Sequence, residues 1–220
     1  MRKVLSATLL AAIVSLALAA AAQAHAPILF VHGWSESGSL WNTMIGRFEK
    51  DGWAKKELTN WTYNTSQSNA TTAKEIATKV SEIKAGTGAA KVDLITHSMG
   101  ALSSRYYIKN LGGTSTVDRW ISLGGPNHGT STANFCGQAS CVQMRANSTF
   151  LNELNAGSET PVGPSYATWW SPCDEIINPH TSVILTGAKN TETACITHAA
   201  LASNEAVYAQ VREFVRCENA

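Results

Sequence analysis

No charge of one sign dominates this sequence: 17 Lys and Arg stand against 16 Asp and Glu, and charged residues make up only 15% of the chain. Without a basic run, electrostatic capture by nucleic acid or by an anionic membrane surface has nothing to act through. There is no C-x-x-C pair, and none of the five cysteines sits at ligand spacing from a pair of histidines, which argues against a zinc site. Internal repeats, low-complexity tracts and long linkers are lacking too. Beyond residue 24 no apolar run approaches the ~20 residues that a membrane-spanning helix needs.

What is present begins with a leader pattern. Arg2 and Lys3 precede an apolar stretch from Val4 to Ala22, and Ala22-Gln23-Ala24 puts small residues where a signal peptidase cuts. This predicts a secretory signal peptide over 1–24, with Ala26 the next cleavage candidate, and a single domain over 25–220 with enough chain for one substantial core. Loss of Arg2 and Lys3 keeps the mature chain near neutral. Cysteines in an oxidising compartment pair. Cys136 with Cys141 closes a short surface loop, Cys173 with Cys195 ties two later segments together, and Cys217 is left over.

Short apolar runs alternate with helical periodicity, the pattern of a parallel sheet covered by helices on both faces. Strands are expected at Pro27 to Val31, Leu58 to Tyr63, Val92 to Thr96, Val117 to Leu123, Tyr166 to Trp170 and Glu192 to Ile196. Helices are expected around Leu40 to Phe48 with Ser39 as cap, Asn69 to Lys84, Met99 to Leu111, Gln143 to Leu154, and on Val207 to Val215 with Ser203 as cap.

Thr96-His97-Ser98-Met99-Gly100 lies where an apolar strand turns straight into a helix. A serine there projects from the top of the sheet on a sharp turn, while following backbone N–H groups point into the same space. The alternative reading is a helix N-cap, the commonest job for a serine at such a boundary. Two other segments favour the nucleophile. Phe30-Val31-His32-Gly33-Trp34 ends the first strand, where the N–H of Trp34 joins that of Met99 as an oxyanion hole, worth about 3 kcal/mol per donor. Downstream of Ser98 lie His128, His180 and His198, and only His198 follows an acid at the spacing of successive strand ends. That acid is Asp174, with Glu175 as runner-up, and its carboxylate fixes the tautomer of the base. His32 is read as a structural hydrogen-bonding residue. Trp34, Trp169 and Trp170 are candidate substrate-binding residues near the mouth, with core or rim packing as the alternative.

V-H-G-W at 31–34, T-H-S-M-G at 96–100, G-G-P-N-H-G-T at 124–130, C-D-E-I-I at 173–177 and the histidine at 198 together resemble the class 2 bacterial lipases, the small Bacillus-type members above all. The resemblance implies a minimal α/β-hydrolase with a six-stranded, mostly parallel sheet, no metal or other cofactor and little or no lid. It implies a secreted bacterial esterase or triacylglycerol lipase acting on acylglycerols and other esters, at a lipid–water interface or in solution, as a monomer with no stable partner. The chain departs from the pattern at Thr96, where Bacillus-type members carry alanine, and in its cysteines. An extracellular polyhydroxyalkanoate depolymerase is the alternative within the same chemistry. A non-catalytic binding or chaperone-like protein is the alternative outside it, since fold does not fix function.

Overall fold

A computed structural model describes residues 25–216. The expected leader and Cys217 lie outside the described residues. Six strands form one parallel sheet: β1 (Ile28–Val31), β2 (Leu58–Asn60), β3 (Val92–His97), β4 (Val117–Leu123), β5 (Ser165–Trp170) and β6 (Lys189–Glu192), in the order β2-β1-β3-β4-β5-β6. The expected minimal α/β-hydrolase sheet is therefore present.

Side chains alternate between two faces along each strand, and here both faces are dry. Leu29, Val31, Leu94 and Trp120 enter one core, with Ile76 and Val80 of α2 (Asn69–Thr87) and Leu102 and Ile108 of α3 (Gly100–Asn110). Ile28, Phe30, Ile95 and Ile121 enter the other, with Met44 and Phe48 of α1 (Asn42–Lys50) and Val207 and Val211 of α6 (Glu205–Arg216). Each fully buried aliphatic or aromatic side chain contributes about 1.5–3 kcal/mol. The indole of Trp120 is accommodated because its N–H donates to Ser104 Oγ at 2.7 Å.

Several boundaries move from their sequence expectations for identifiable reasons. Ser39 is not the cap of α1; it lies in a short 3-10 turn, Gly38–Trp41, that feeds the helix. Helix α2 continues past Lys84 to Thr87 because Gly86 stays helical, and it ends at Gly88, whose φ of 77° is the left-handed conformation glycine adopts without strain. The helix expected over Gln143 to Leu154 is two helices, α4 (Ala139–Met144) and α5 (Thr149–Asn155). Between them Asn147 takes φ 62° and Ser148 Oγ accepts the Leu151 N–H, so a new helix starts there.

The last strand is Lys189–Glu192 rather than Glu192 to Ile196. It is a polar, largely exposed edge strand, and its lack of an apolar signal hid it. Residues 193–196 instead cross the end of β5, where Ser171 Oγ donates to the Ile196 carbonyl at 2.6 Å and accepts the Ile196 N–H at 3.0 Å. The cap of α6 is Asn204, one residue after the expected Ser203, since its Oδ1 accepts the Val207 N–H at 3.1 Å. Asn204→Ala is expected to lower stability by about 1 kcal/mol, measured by urea unfolding; Ser203→Ala should leave the midpoint in place. Among the described residues no helix is long and apolar enough to cross a membrane.

Candidate active site

The C-terminal ends of β1, β3, β4 and β5 open onto one rim, and the predicted residues gather there. β3 passes into α3 through Ser98, which holds φ 52°. For a residue with a Cβ this conformation costs energy, and it is sustained here by the packing around it. A Cβ on Gly100 would lie 2.6 Å from the carbonyl oxygens of both Val31 and His32, so only glycine lets α3 approach β1. Gly33 is equally confined, its missing Cβ falling 2.6 Å from Ser98 Cβ. The elbow is thus wedged against the loop that leaves β1. Thr96, the departure from the family pattern, buries its hydroxyl against β4 by donating to the Ile121 carbonyl at 2.7 Å. It braces the sheet rather than facing the cavity.

His198 directs Nδ1 at Asp174 Oδ2, 2.8 Å away, which leaves Nε2 as the nitrogen available to the cavity it shares with Ser98. The other oxygen of Asp174 accepts the N–H groups of Ile176 and Ile177 at 2.9 and 2.8 Å, so the carboxylate is fully oriented. Glu175, the runner-up acid, holds the backbone of the same histidine instead: its Oε2 accepts the His198 N–H at 3.0 Å. Burial penalises the Asp174 carboxylate, but the hydrogen bond and charge of His198 and the two amides outweigh it and hold its pKa below the ordinary value. The pKa of His198 is lowered, first by burial and then by the nearby charge of His97, against the pull of Asp174.

Three consecutive amides follow His32. The Gly33 N–H goes to Glu36 Oε2 at 2.6 Å and the Ser35 N–H to Thr65 Oγ1 at 3.2 Å. The Trp34 N–H lies between these two tied amides. That of Met99 stands just ahead of α3, where a helix presents unpaired N–H groups. His32 matches its structural reading: it is fully buried, stacked on Tyr63 at 4.1 Å, with Nδ1 donating to the Gly33 carbonyl and Nε2 accepting the Tyr63 N–H.

A cavity of 380 Å³ stands over Ser98 and His198. Trp34, Ala133, Phe135, Met144 and Ile176 wall it, so its surface is mainly apolar. Of the three candidate tryptophans only Trp34 reaches it. Trp169 is a correction: it is 1% exposed, packs on Phe214 of α6 and donates its N–H to Gln210. Side chains alternate along β5, and position 169 falls on the face covered by α6. Trp170 is corrected likewise, since it stacks on His180 at 5.4 Å outside the cavity. His128 pairs with Glu159 away from Ser98. Sequence reasoning missed the cavity walls and Glu36. Apart from Trp34, the wall residues Ala133, Phe135 and Met144 come from short turns and a short helix within 130–144, and Ile176 from the loop after Asp174, none of which carries a spacing signal. Glu36 was visible only as a lone acid three residues beyond Gly33.

Both expected disulfides are formed. Cys136–Cys141 closes the loop behind Phe135, and Cys173–Cys195 joins the loop of Asp174 to the loop of His198.

A sequence profile described as lipase (class 2) matches residues 25–212. Among solved structures, the mature form of the Bacillus licheniformis lipase BlEst2 superposes with a TM-score of 0.78 at 18% identity, covering 88% of this chain and 93% of that one. Lipase B of Aspergillus fumigatus gives 0.76 at 17% identity, over 89% of this chain and 53% of that chain. Phospholipase PlaB of Legionella pneumophila gives 0.54 at 18% identity over 65% of this chain and 37% of that one. At such identities the superpositions speak to fold, whereas the profile spans nearly the whole described chain. The chain belongs to the class 2 lipases, a family of lipolytic hydrolases acting on esters.

Proposed function

We propose that this protein is a secreted serine esterase or triacylglycerol lipase in which Ser98 is the nucleophile, His198 its base and Asp174 the acid. The observation that carries the reading is the pairing of His198 Nδ1 with Asp174 in a cavity that also holds Ser98 on its strand–helix elbow. Nδ1 keeps its proton on Asp174, so Nε2 is the basic nitrogen. It takes the Ser98 proton as Oγ attacks the ester carbonyl. The resulting oxyanion is held by the N–H groups of Trp34 and Met99, and the alcohol departs with the proton from His198. Water then repeats the sequence on the acyl-enzyme and releases the acid.

The apolar cavity suits the hydrocarbon part of an ester, with Trp34 as its substrate-contacting aromatic. Export is supported by the leader pattern of residues 1–24, by a profile match that begins at residue 25, and by two disulfides. Residues 25–220 are then the catalytic domain, acting as a monomer with no metal or cofactor in the chemistry. A p-nitrophenyl alkylphosphonate should phosphonylate one residue, and mass mapping should find it on the peptide containing Ser98; a label elsewhere refutes the assignment. Parallel assays on tributyrin, emulsified long-chain triacylglycerol and polyester granules separate lipase, esterase and depolymerase.

The pH profile carries the sign of the His198 shift. The base works only when neutral, and burial with the His97 charge stabilises the neutral form, so activity persists to lower pH than an ordinary imidazole permits. The acidic limb of kcat/KM, which reports the free enzyme, should have its midpoint below 6.5. A midpoint above that value contradicts the environment described here.

A further inference from the structure

His97 precedes the proposed nucleophile and is fully buried, yet both its ring nitrogens face oxygen. Nδ1 lies 3.0 Å from Glu36 Oε2 and Nε2 lies 3.0 Å from the His198 carbonyl. A carbonyl oxygen only accepts, so Nε2 must carry a proton. An ionised carboxylate also only accepts, so Nδ1 must carry one too. His32, beside it, shows the contrast: one of its nitrogens faces a carbonyl and the other an N–H, which suits a neutral ring.

We propose that Glu36 and His97 form a charged carboxylate–imidazolium pair that positions the catalytic base and the oxyanion loop together. This rests on the triad reading above. One oxygen, Glu36 Oε2, accepts from both the Gly33 N–H at 2.6 Å and His97 Nδ1 at 3.0 Å. The first contact sets the turn in which the Trp34 N–H is presented. The second orients His97, whose far nitrogen holds the backbone of His198 in place. A chain of three hydrogen bonds thus runs from the oxyanion loop through β3 to the loop of the base, crossing gaps of 61 and 101 residues in sequence.

The groups facing His97 agree with a positive ring. Glu36 comes from the loop after β1, Asp174 from the loop after β5, and the His198 ring lies 4.5 Å away, tilted by 44°. His32 at the end of β1 is held neutral by its own bonds, and the Trp41 ring stands at right angles to that of His97 at 6.5 Å. Burial opposes a charge on His97, but the Glu36 hydrogen bond and charge outweigh it and raise its pKa. Glu36 is correspondingly held below the ordinary carboxylate range by His97, against its own burial. Glu36 lines the cavity beside Ser98, but its hydrogen bonds go to Gly33 and His97 and those of His97 go to Glu36 and the His198 backbone, so both are positioning residues.

In the intact protein labelled with ¹⁵N-histidine, imidazole spectra at neutral pH are expected to show His97 with both nitrogens protonated. The resonance is assigned by its loss in His97→Gln. Glu36→Gln removes the charge that sustains the imidazolium, so His97 should then show a single N–H in the neutral range. The same variant should lose about 10- to 100-fold in kcat on p-nitrophenyl butyrate, with KM within about twofold, as expected when reacting groups are displaced slightly. Glu36→Asp keeps the charge and should recover part of that loss. A neutral His97 in the unaltered protein overturns the proposal, and so does a Glu36→Gln enzyme with unchanged kcat. The protonation state of His97 in the unaltered protein does not depend on turnover, so it decides the question even where Glu36→Gln fails to fold. Failure of the triad reading has a separate signature, an active Ser98→Ala enzyme.

Discussion

Ser98→Ala is expected to lower kcat on p-nitrophenyl butyrate by about 10⁵- to 10⁶-fold, a loss of roughly 7–8 kcal/mol of transition-state stabilisation. The substitution removes one oxygen and leaves the elbow intact. Alanine at φ 52° is no more strained than serine there, and Gly33 and Gly100 still permit the close approach of α3 to β1. The thermal midpoint should therefore stay within a few degrees of the parent while turnover vanishes, which separates chemistry from folding. Residual activity above water is expected from the Trp34 and Met99 N–H groups, because they act on any oxyanion formed in the cavity. Groups that act as a unit are not additive, so Ser98→Ala combined with His198→Ala should be about as inactive as Ser98→Ala alone. Retained activity in the single variant would sink the assignment of nucleophile.

The second large effect concerns the bridge between Cys173 and Cys195. It closes a loop of 22 residues and couples the segment carrying Asp174 to the segment carrying His198. Replacing both cysteines by serine should cost about 3 kcal/mol in the chain-entropy account. For a chain of this size that corresponds to a fall of roughly 6–12 °C in Tm. The bridge between Cys136 and Cys141 spans only five positions, so its removal should cost about 1 kcal/mol less.

The two bridges should also differ in kind. Loss of Cys173–Cys195 loosens the 2.8 Å contact between His198 and Asp174 and should depress kcat even well below Tm. Loss of Cys136–Cys141 frees the Phe135 segment at the cavity wall and should act mainly on KM. Calorimetry and steady-state kinetics on both double-serine proteins measure this. Equal melting temperatures for the parent and the 173/195 variant would contradict the stapling role.

The alternation of strands and helices was legible because both sheet faces are covered, so β1 reads as a continuous apolar run and β3 and β4 carry apolar side chains toward both faces. Where an element is polar or interrupted the reading slipped. β6 is an exposed edge strand without an apolar stripe, and α4 and α5 are parted by Asn147 and Ser148, whose turn and capping chemistry outweighs helical periodicity. The rim residues Ser98, Asp174 and His198 were legible from their order along the chain, since successive strand ends of a parallel sheet open on the same side.

The amino-acid sequence alone was enough for the family, the sheet, the cysteine pairs and the order of the three rim side chains, because these follow from local periodicity, short motifs and spacing. Only the folded chain decided that Asp174 rather than Glu175 meets the imidazole, that Glu175 clasps the backbone of the same histidine, and that Trp169 belongs to the core. It also decided that Glu36 and His97, 61 residues apart, share a hydrogen bond. Which neighbouring carboxylate points inward, and which distant side chains touch, depends on how loops from separate strands close over one rim. No pattern within a single segment encodes that closure.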